Sequence, residues 1–254
     1  MKRSWIAVTA LAFVLQLAAA VRAEGDSDRW GWGIGIGGTV ISSEYKGIES
    51  GGSALPLLGY EGNWLYLRGL SGGLHIFKND FHEFNIQLSY LPQHFYAGWS
   101  DNSRMKRLDD RYSSLLAGLN YRLNTAYGVG QLSLSGDALG YSRGIVADAS
   151  YSYPLRLNMV SLAPTVGVQW TDVNYNDYYY GVDASEARAS GLRSYSPESS
   201  FSPYGGLAAR MLLNENWSIF ASGQLMFLGS EIQDSPMVDK STKYSLSGGF
   251  LYNF

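Results

Sequence analysis

The chain has 254 residues and no cysteine, so disulfide frameworks and thiolate chemistry are both excluded. Histidine is scarce, at three residues, His75, His82 and His94. They fall in separate predicted elements, which removes the common nitrogen-rich metal sites. Long apolar runs are also missing beyond the N-terminus. No later stretch approaches the ~18 consecutive apolar residues that a membrane-spanning helix needs, and mean hydropathy is slightly negative. Basic charge is in short supply. Residues 1–23 carry Lys2, Arg3 and Arg22 and no acid; without them Lys+Arg falls from 19 to 16 against 22 Asp+Glu, a balance of −6. Nucleic acid is therefore not an expected partner, since binding it requires a basic surface.

What is present points elsewhere. Lys2 and Arg3 precede an apolar run from Trp5 to Ala20, followed by Val21, Arg22 and Ala23. Residues 1–23 read as a secretory signal peptide cleaved after Ala23; the run is short for an anchor helix and exits through small residues. Residues 24–254 are then expected to form a single domain. Its last eleven residues, Tyr244 to Phe254, place an apolar, aromatic or Gly residue at every second position. A period of two separates the faces of a strand. A terminal strand ending on Phe254 is the form the barrel assembly machinery of bacterial outer membranes recognises, which makes that machinery an expected partner.

The same alternation recurs along the chain. Phe84, Ile86, Leu88 and Tyr90 oppose Asn85, Gln87 and Ser89; Leu132 and Leu134 oppose Gln131, Ser133, Ser135 and Asp137; Trp217, Ile219, Ala221, Leu225 and Phe227 oppose Ser218, Ser222 and Gln224. Aromatics gather at strand ends, including Trp30, Trp32, Tyr90, Tyr121, Tyr153, Trp170 and Trp217, where a membrane-interface girdle places them. Twelve strands are predicted, near 30–41, 54–61, 63–69, 72–78, 83–91, 112–122, 127–138, 143–154, 158–170, 202–213, 217–228 and 243–254. Gly69, Gly72 and Gly73, where strands 63–69 and 72–78 meet, can mark either a tight turn or a kink; merging these two strands would break the parity of the connections, and ten strands is the alternative count. With twelve, the long connections Ser42–Ser53, Pro92–Arg111, Thr171–Phe201 and Gly229–Thr242 all fall at one end. The short ones, Glu61–Asn63, Lys78–His82, Leu123–Ala126, Pro154–Asn158 and Asn214–Asn216, fall at the other, as in barrels with short periplasmic turns and long outer loops. A soluble sandwich or lipocalin-like barrel also alternates, but its buried face would carry more Val, Ile and Leu than this Tyr-, Trp- and Gly-rich one. The expected fold is all-β: an antiparallel transmembrane barrel in the bacterial outer membrane, in contact with lipid and lipopolysaccharide.

Candidate chemistry is thin. His94, Ser100 and Asp101, with Asp109 and Asp110 nearby, could sit together at an outer rim, but the simpler reading is a solvated polar loop. Gly69-Leu70-Ser71-Gly72-Gly73 only loosely matches G-x-S-x-G and precedes no helix, so it reads as a turn. Asp172, Asn174, Asn176 and Asp177 alternate oxygen ligands but lack the Gly and closing Glu of a calcium loop, and read as a polar loop. We expect no catalytic, cofactor-binding or metal-ligating residues. Arg122, Asp137, Asp148, Arg210 and Lys243 fall on the lumen face, as internal salt bridges or as the lining of a narrow aqueous path.

One segment is distinctive. Tyr178-Tyr179-Tyr180-Gly181-Val182, then Glu186-Ala187, Ser190-Gly191-Leu192 and Tyr195-Ser196-Pro197, combine with Gly52, Leu55-Pro56, Tyr60 and the final Tyr252-Asn253-Phe254. In this pattern the chain resembles the MipA/OmpV family over essentially its whole length after the leader. The resemblance implies a non-enzymatic outer-membrane protein that acts as a scaffold for murein-synthesising and murein-degrading enzymes. The partners it implies are a lytic transglycosylase and a penicillin-binding protein. A passive or selective channel, suggested by the lumen charges, and a surface adhesin, suggested by the Tyr-rich Thr171–Phe201 segment, are the alternatives.

Overall fold

The computed structural model describes residues 31–254; the expected leader and Trp30 lie outside them. Alternating sequences of the kind just described cannot bury both faces in water, and a sheet left open would expose unpaired backbone. The chain resolves both demands by closing on itself. Its strands are β1 (Gly31–Ile41), β2 (Gly51–Glu61), β3 (Leu65–Arg68), β4 (Ser71–Lys78), β5 (His82–Leu91), β6 (Ser114–Thr125), β7 (Gly128–Asp137), β8 (Ile145–Ser152), β9 (Leu155–Leu157), β10 (Val160–Thr171), β11 (Ser200–Leu212), β12 (Trp217–Phe227) and β13 (Thr242–Asn253). Each pairs antiparallel with its neighbour, and β13 closes the ring against β1, with Gly33 opposite Asn253 and Ile41 opposite Ser245. The segments β8 and β9 are two parts of one strand interrupted at Pro154, both paired with β10. The wall is therefore a closed twelve-stranded barrel, as the connection parity required, and the pairs around Gly69 stay separate.

Side chains sort as the alternation predicts. Ile34, Ile36, Leu74, Ile86, Leu88, Leu119, Leu132, Leu134 and Leu246 are exposed on the outer wall, whereas Asn85, Asn120, Thr165, Ser218 and Ser222 are buried inside. Exposed Trp32, Trp64, Phe81, Tyr127, Trp217 and Phe254 ring the end with short turns, the periplasmic end by the rule for such barrels.

Two features depart from simple alternation. Inside the barrel, Phe220 and Leu57 are buried against each other, with Leu70 and Leu251 packed on them. This apolar belt fits because the inner faces of β1 and β13 carry glycines. A Cβ at Gly37 would stand 3.0 Å from Leu57 and 3.4 Å from Phe220, and one at Gly249 would meet Phe220 at 2.9 Å. Leu70 reaches the belt from a tight turn that Gly69 opens with φ of 65°, a conformation cheap only for glycine.

The second departure is at the outer end, where the long connections fold together. Tyr45, Phe95, Met105, Tyr175, Tyr179, Tyr180, Val182, Ile232, Met237 and Val238 form one buried cluster with Leu91, Leu116, Val146 and Met226 from the wall. The long connection Thr171–Phe201 is not an irregular loop; it contains two helices, α1 (Val173–Tyr180) and α2 (Ala184–Ser190), and a third, α3 (Ser230–Gln233), lies in the last outer connection. Asp172 is thus no part of a polar loop: its carboxylate caps α1 by accepting from Tyr175 N. Asp183 and Glu186 form a reciprocal capping box on α2, a signature present in the sequence.

Candidate functional site

Three layers fill the lumen, from the cap at the outer end to a charged cluster at the periplasmic end. In the cap, Glu44 is almost fully buried at 1 % exposure. Its Oε1 accepts from Gln93 Nε2 at 2.7 Å and from Tyr180 Oη at 2.9 Å, and Lys243 Nζ stands 3.3 Å from its Oε2. Lys243 also donates to Gln93 Oε1 at 2.7 Å. Burial alone would raise the Glu44 pKa, but Lys243 and the bonds from Gln93 and Tyr180 outweigh it, and the carboxyl is held below its usual range. Burial beside this carboxylate pushes the Tyr45 and Tyr180 hydroxyls well up, so both stay protonated donors. A second tie joins two outer segments: Arg111 Nη2 donates to both Glu186 oxygens, at 2.7 and 2.9 Å, and Asp109 N donates to Oε1 at 2.9 Å.

The family-like motif is therefore a set of struts. Tyr179 and Tyr180 are buried, Val182 bridges to Tyr195, Glu186 holds Arg111, Ser190 Oγ donates to Glu186 O, and Tyr195 Oη donates to Glu231 O. None of these groups makes a nucleophile–base pair.

Beneath the cap lies a cavity of about 220 Å³. Its roof is apolar, from Ile41, Leu91, Met226 and Ile232, and its wall side carries Ser89, Ser135, Asp148, Gln169 and Gln224. Asp148 Oδ1 accepts from Tyr204 Oη at 3.1 Å. The apolar belt lies deeper in the lumen. Toward the periplasm a charge cluster follows. Arg68 donates to Glu61 and Glu83 at 3.1 Å, and Lys78 donates to Glu61 at 2.7 Å. His75 Nδ1 bonds Asn85 Oδ1 at 2.7 Å while its Nε2 lies 3.2 Å from Glu61. Arg122 donates to Asn124 and is buried beside them.

The structure does not assemble the rim set considered from sequence. His94 Nδ1 donates to Pro92 O at 2.8 Å, and its ring packs on Tyr96 and Trp99. Ser100 Oγ donates to Lys46 O at 2.7 Å, Asp101 N donates to Gly47 O, and Asp110 accepts from Ala97 N. All serve loop geometry. Among the described residues there is no cluster of His, Asp and Glu able to hold a metal ion. Of the lumen charges, Arg122 and Lys243 join the clusters just described. Asp137 instead clamps the 138–144 turn, accepting from Ser114 Oγ and from the amides of Leu139, Gly140, Ser142 and Arg143. The residues missed from sequence, Glu44, Gln93 and Arg111, lie outside the regular strands, and their partners are many residues away; Glu186 stands out only within the family-like pattern.

A closed twelve-stranded wall with an apolar exterior, aromatic girdle, short turns at one end and folded loops at the other defines an outer-membrane β-barrel protein. The translocator domain of the autotransporter NalP from Neisseria meningitidis shares this fold, with TM-score 0.50 and 13% identity over 94% of each chain. The family model described as MltA-interacting protein MipA matches residues 34–254, and the chain belongs to that family. The MltA-interacting protein of Escherichia coli (strain K12) is 38% identical over 215 residues, covering 85% of this chain and 87% of its own. Outer membrane protein OmpV of Vibrio cholerae is 24% identical, covering 77% of this chain and 88% of its own. The protein resides in the bacterial outer membrane, and its family is not a known enzyme family.

Proposed function

We propose that the protein is a non-enzymatic scaffold that holds a lytic transglycosylase and a penicillin-binding protein at the inner surface of the outer membrane. The observation that carries this reading is the relationship to a protein named for its interaction with MltA, over most of both chains. The contact surface in this reading is the periplasmic rim. Each of its short turns presents a large side chain to solvent: Trp64 at 76 % exposure, Phe81, Tyr127 at 81 %, Met159 and Leu213. Aromatic anchors spaced around a rigid ring suit a multi-enzyme platform. The lumen counts against a passive channel, because the cap and the apolar belt obstruct it at two levels.

The test is crosslinking in intact envelopes followed by pull-down and mass spectrometry. Recovery of both enzymes, reduced about tenfold by Trp64→Ala combined with Tyr127→Ala at equal barrel abundance, is the expected result. Recovery of neither enzyme with the unaltered protein would overturn the scaffold reading.

A further inference from the structure

The barrel wall has a gap. Strand β2 is eleven residues long, but β3 is only four and pairs with it solely at Gly59, Tyr60 and Glu61. Gly69 N donating to Leu58 O is the last bond of that seam. Toward the outer end, among the described residues, the edge of β2 from Gly51 to Leu57 has a strand on its β1 side only. Strand β5 ends at Leu91, just above the sill, where Tyr90 N donates to Leu70 O; β2 on one side and the end of β5 with the 92–99 segment that follows it on the other therefore flank an opening whose sill is the Gly69-Leu70 turn.

Three observations mark the gap as built to stay open. Leu58 turns its carbonyl toward β3, and backbone direction repeats every second residue, so Pro56 presents its nitrogen to the open side. A proline there forfeits no ladder bond and blunts the edge against an added strand. Gly51 and Gly52 leave the β2 side bare; a Cβ at Gly51 would have no atom within 4 Å. The cavity beneath the cap is lined from both sides of the gap, by Ile48, Gly51 and Gly52 on one and Tyr90, Tyr96 and Trp99 on the other, so it extends to the opening.

The opening faces lipid. Val40 pairs with Gly52 and Leu246 with Val40, and both apolar side chains are exposed on the outer wall at this level. The cavity behind it is apolar above and lined by hydroxyls and amides below. Its Glu44 and Lys243 neutralise each other, and Asp148 disfavours an anionic head. We propose that this gap is a lateral portal through which a single-chain amphiphile with an uncharged, hydroxyl-bearing head, of the long-chain alcohol or monoacylglycerol class, enters the cavity from the outer leaflet. The proposal is independent of any periplasmic partner, so either can fail alone.

A diazirine-bearing monoacylglycerol, photolysed with the full-length barrel in phosphatidylcholine vesicles, tests it. Label is expected in residues 41–52, 87–99 and at Met226, falling at least tenfold in Gly51→Trp combined with Gly52→Trp, while label on lipid-facing Leu132 and Leu134 is unchanged. Heat-modifiable migration checks that the variant is folded. If it is not, Ser135→Val, which alters only the cavity floor, is expected to lower cavity label at least threefold. Label confined to the lipid-facing wall, cavity label that survives both sets of substitutions, or equal cavity label from a diazirine phosphatidylcholine would overturn the proposal.

Discussion

Glu44 is a carboxylate taken out of water, and it stays ionised because Lys243, Gln93 and Tyr180 converge on it. Its folded pKa lies below the unfolded one, so its contribution to stability is full above the usual carboxylate range and is lost as pH falls through the lower folded value. We expect the cap to become protease-sensitive on acidification into that lower range while the barrel persists, with limited proteolysis of residues 42–50 and 172–199 as the readout. Glu44→Gln should loosen the cap at neutral pH by about 1–2 kcal/mol, since it takes the carboxylate from the half-buried Lys243 ammonium while leaving its bond to Gln93, and should flatten the pH dependence. Retention of the full pH response by this variant would reassign it to another group. Glu186→Ala should act alike through Arg111, whose guanidinium would lose both of its bidentate contacts. Of these residues, Lys243 was visible in the sequence through strand parity, and Glu186 through the family-like pattern around residues 178–197. Glu44 and Gln93 were not, because no local pattern connects a residue at 44 with others at 93, 180 and 243.

Strands were legible for a reason helices were not. A barrel strand faces lipid on one side and a polar lumen on the other, so its period of two is written plainly. β6, β7 and β12 lie within two or three residues of their expected ends. β2 begins at Gly51 rather than 54 because backbone pairing with Ile41 and Val40 continues past the point where side chains alternate. Helix α1 buries tyrosines and α2 buries only Glu186 and Ser190, neither with a continuous 3.6-residue aliphatic stripe, so composition suggested a loop. The apolar belt was illegible for the opposite reason: Leu57, Leu70 and Phe220 put hydrophobic side chains where alternation calls for polar ones. Its role can be measured. In planar bilayers, replacing residues 172–199 by a short Gly-Ser turn should leave the barrel silent, and adding Phe220→Ala should produce discrete conductance steps at a cost of about 3–5 kcal/mol in stability. Steps from the loop replacement alone would show that the belt does not seal.

For the whole molecule, stability without disulfides rests on an unbroken ladder outside the portal and on charge pairing within. The cluster of Glu61, Arg68, Lys78 and Glu83 braces the short β3–β4 hairpin against β2 and β5, the part of the wall with the fewest ladder bonds. Arg68→Ala would strip buried Glu83 of its cation and leave the half-buried Glu61 to Lys78, and should lower the unfolding free energy by about 2–4 kcal/mol, read as a reduced urea midpoint in vesicles. An unchanged midpoint would mean that Lys78 and Arg122 suffice.

The seam between β1 and β13 sets the order of events during assembly. Its partners, Gly33 with Asn253 through Ile41 with Ser245, are separated by nearly the whole described chain, whereas every other neighbour in the wall is adjacent or nearly so in sequence. Hairpins can therefore form one after another, each lending its edge to the next, but the ring stays an open ribbon until β13 arrives. Until then β1 is a waiting template, a row of unsatisfied donors and acceptors in a medium that offers them no water. Loss of β13 would leave an open sheet with two unpaired edges and no way to bury them.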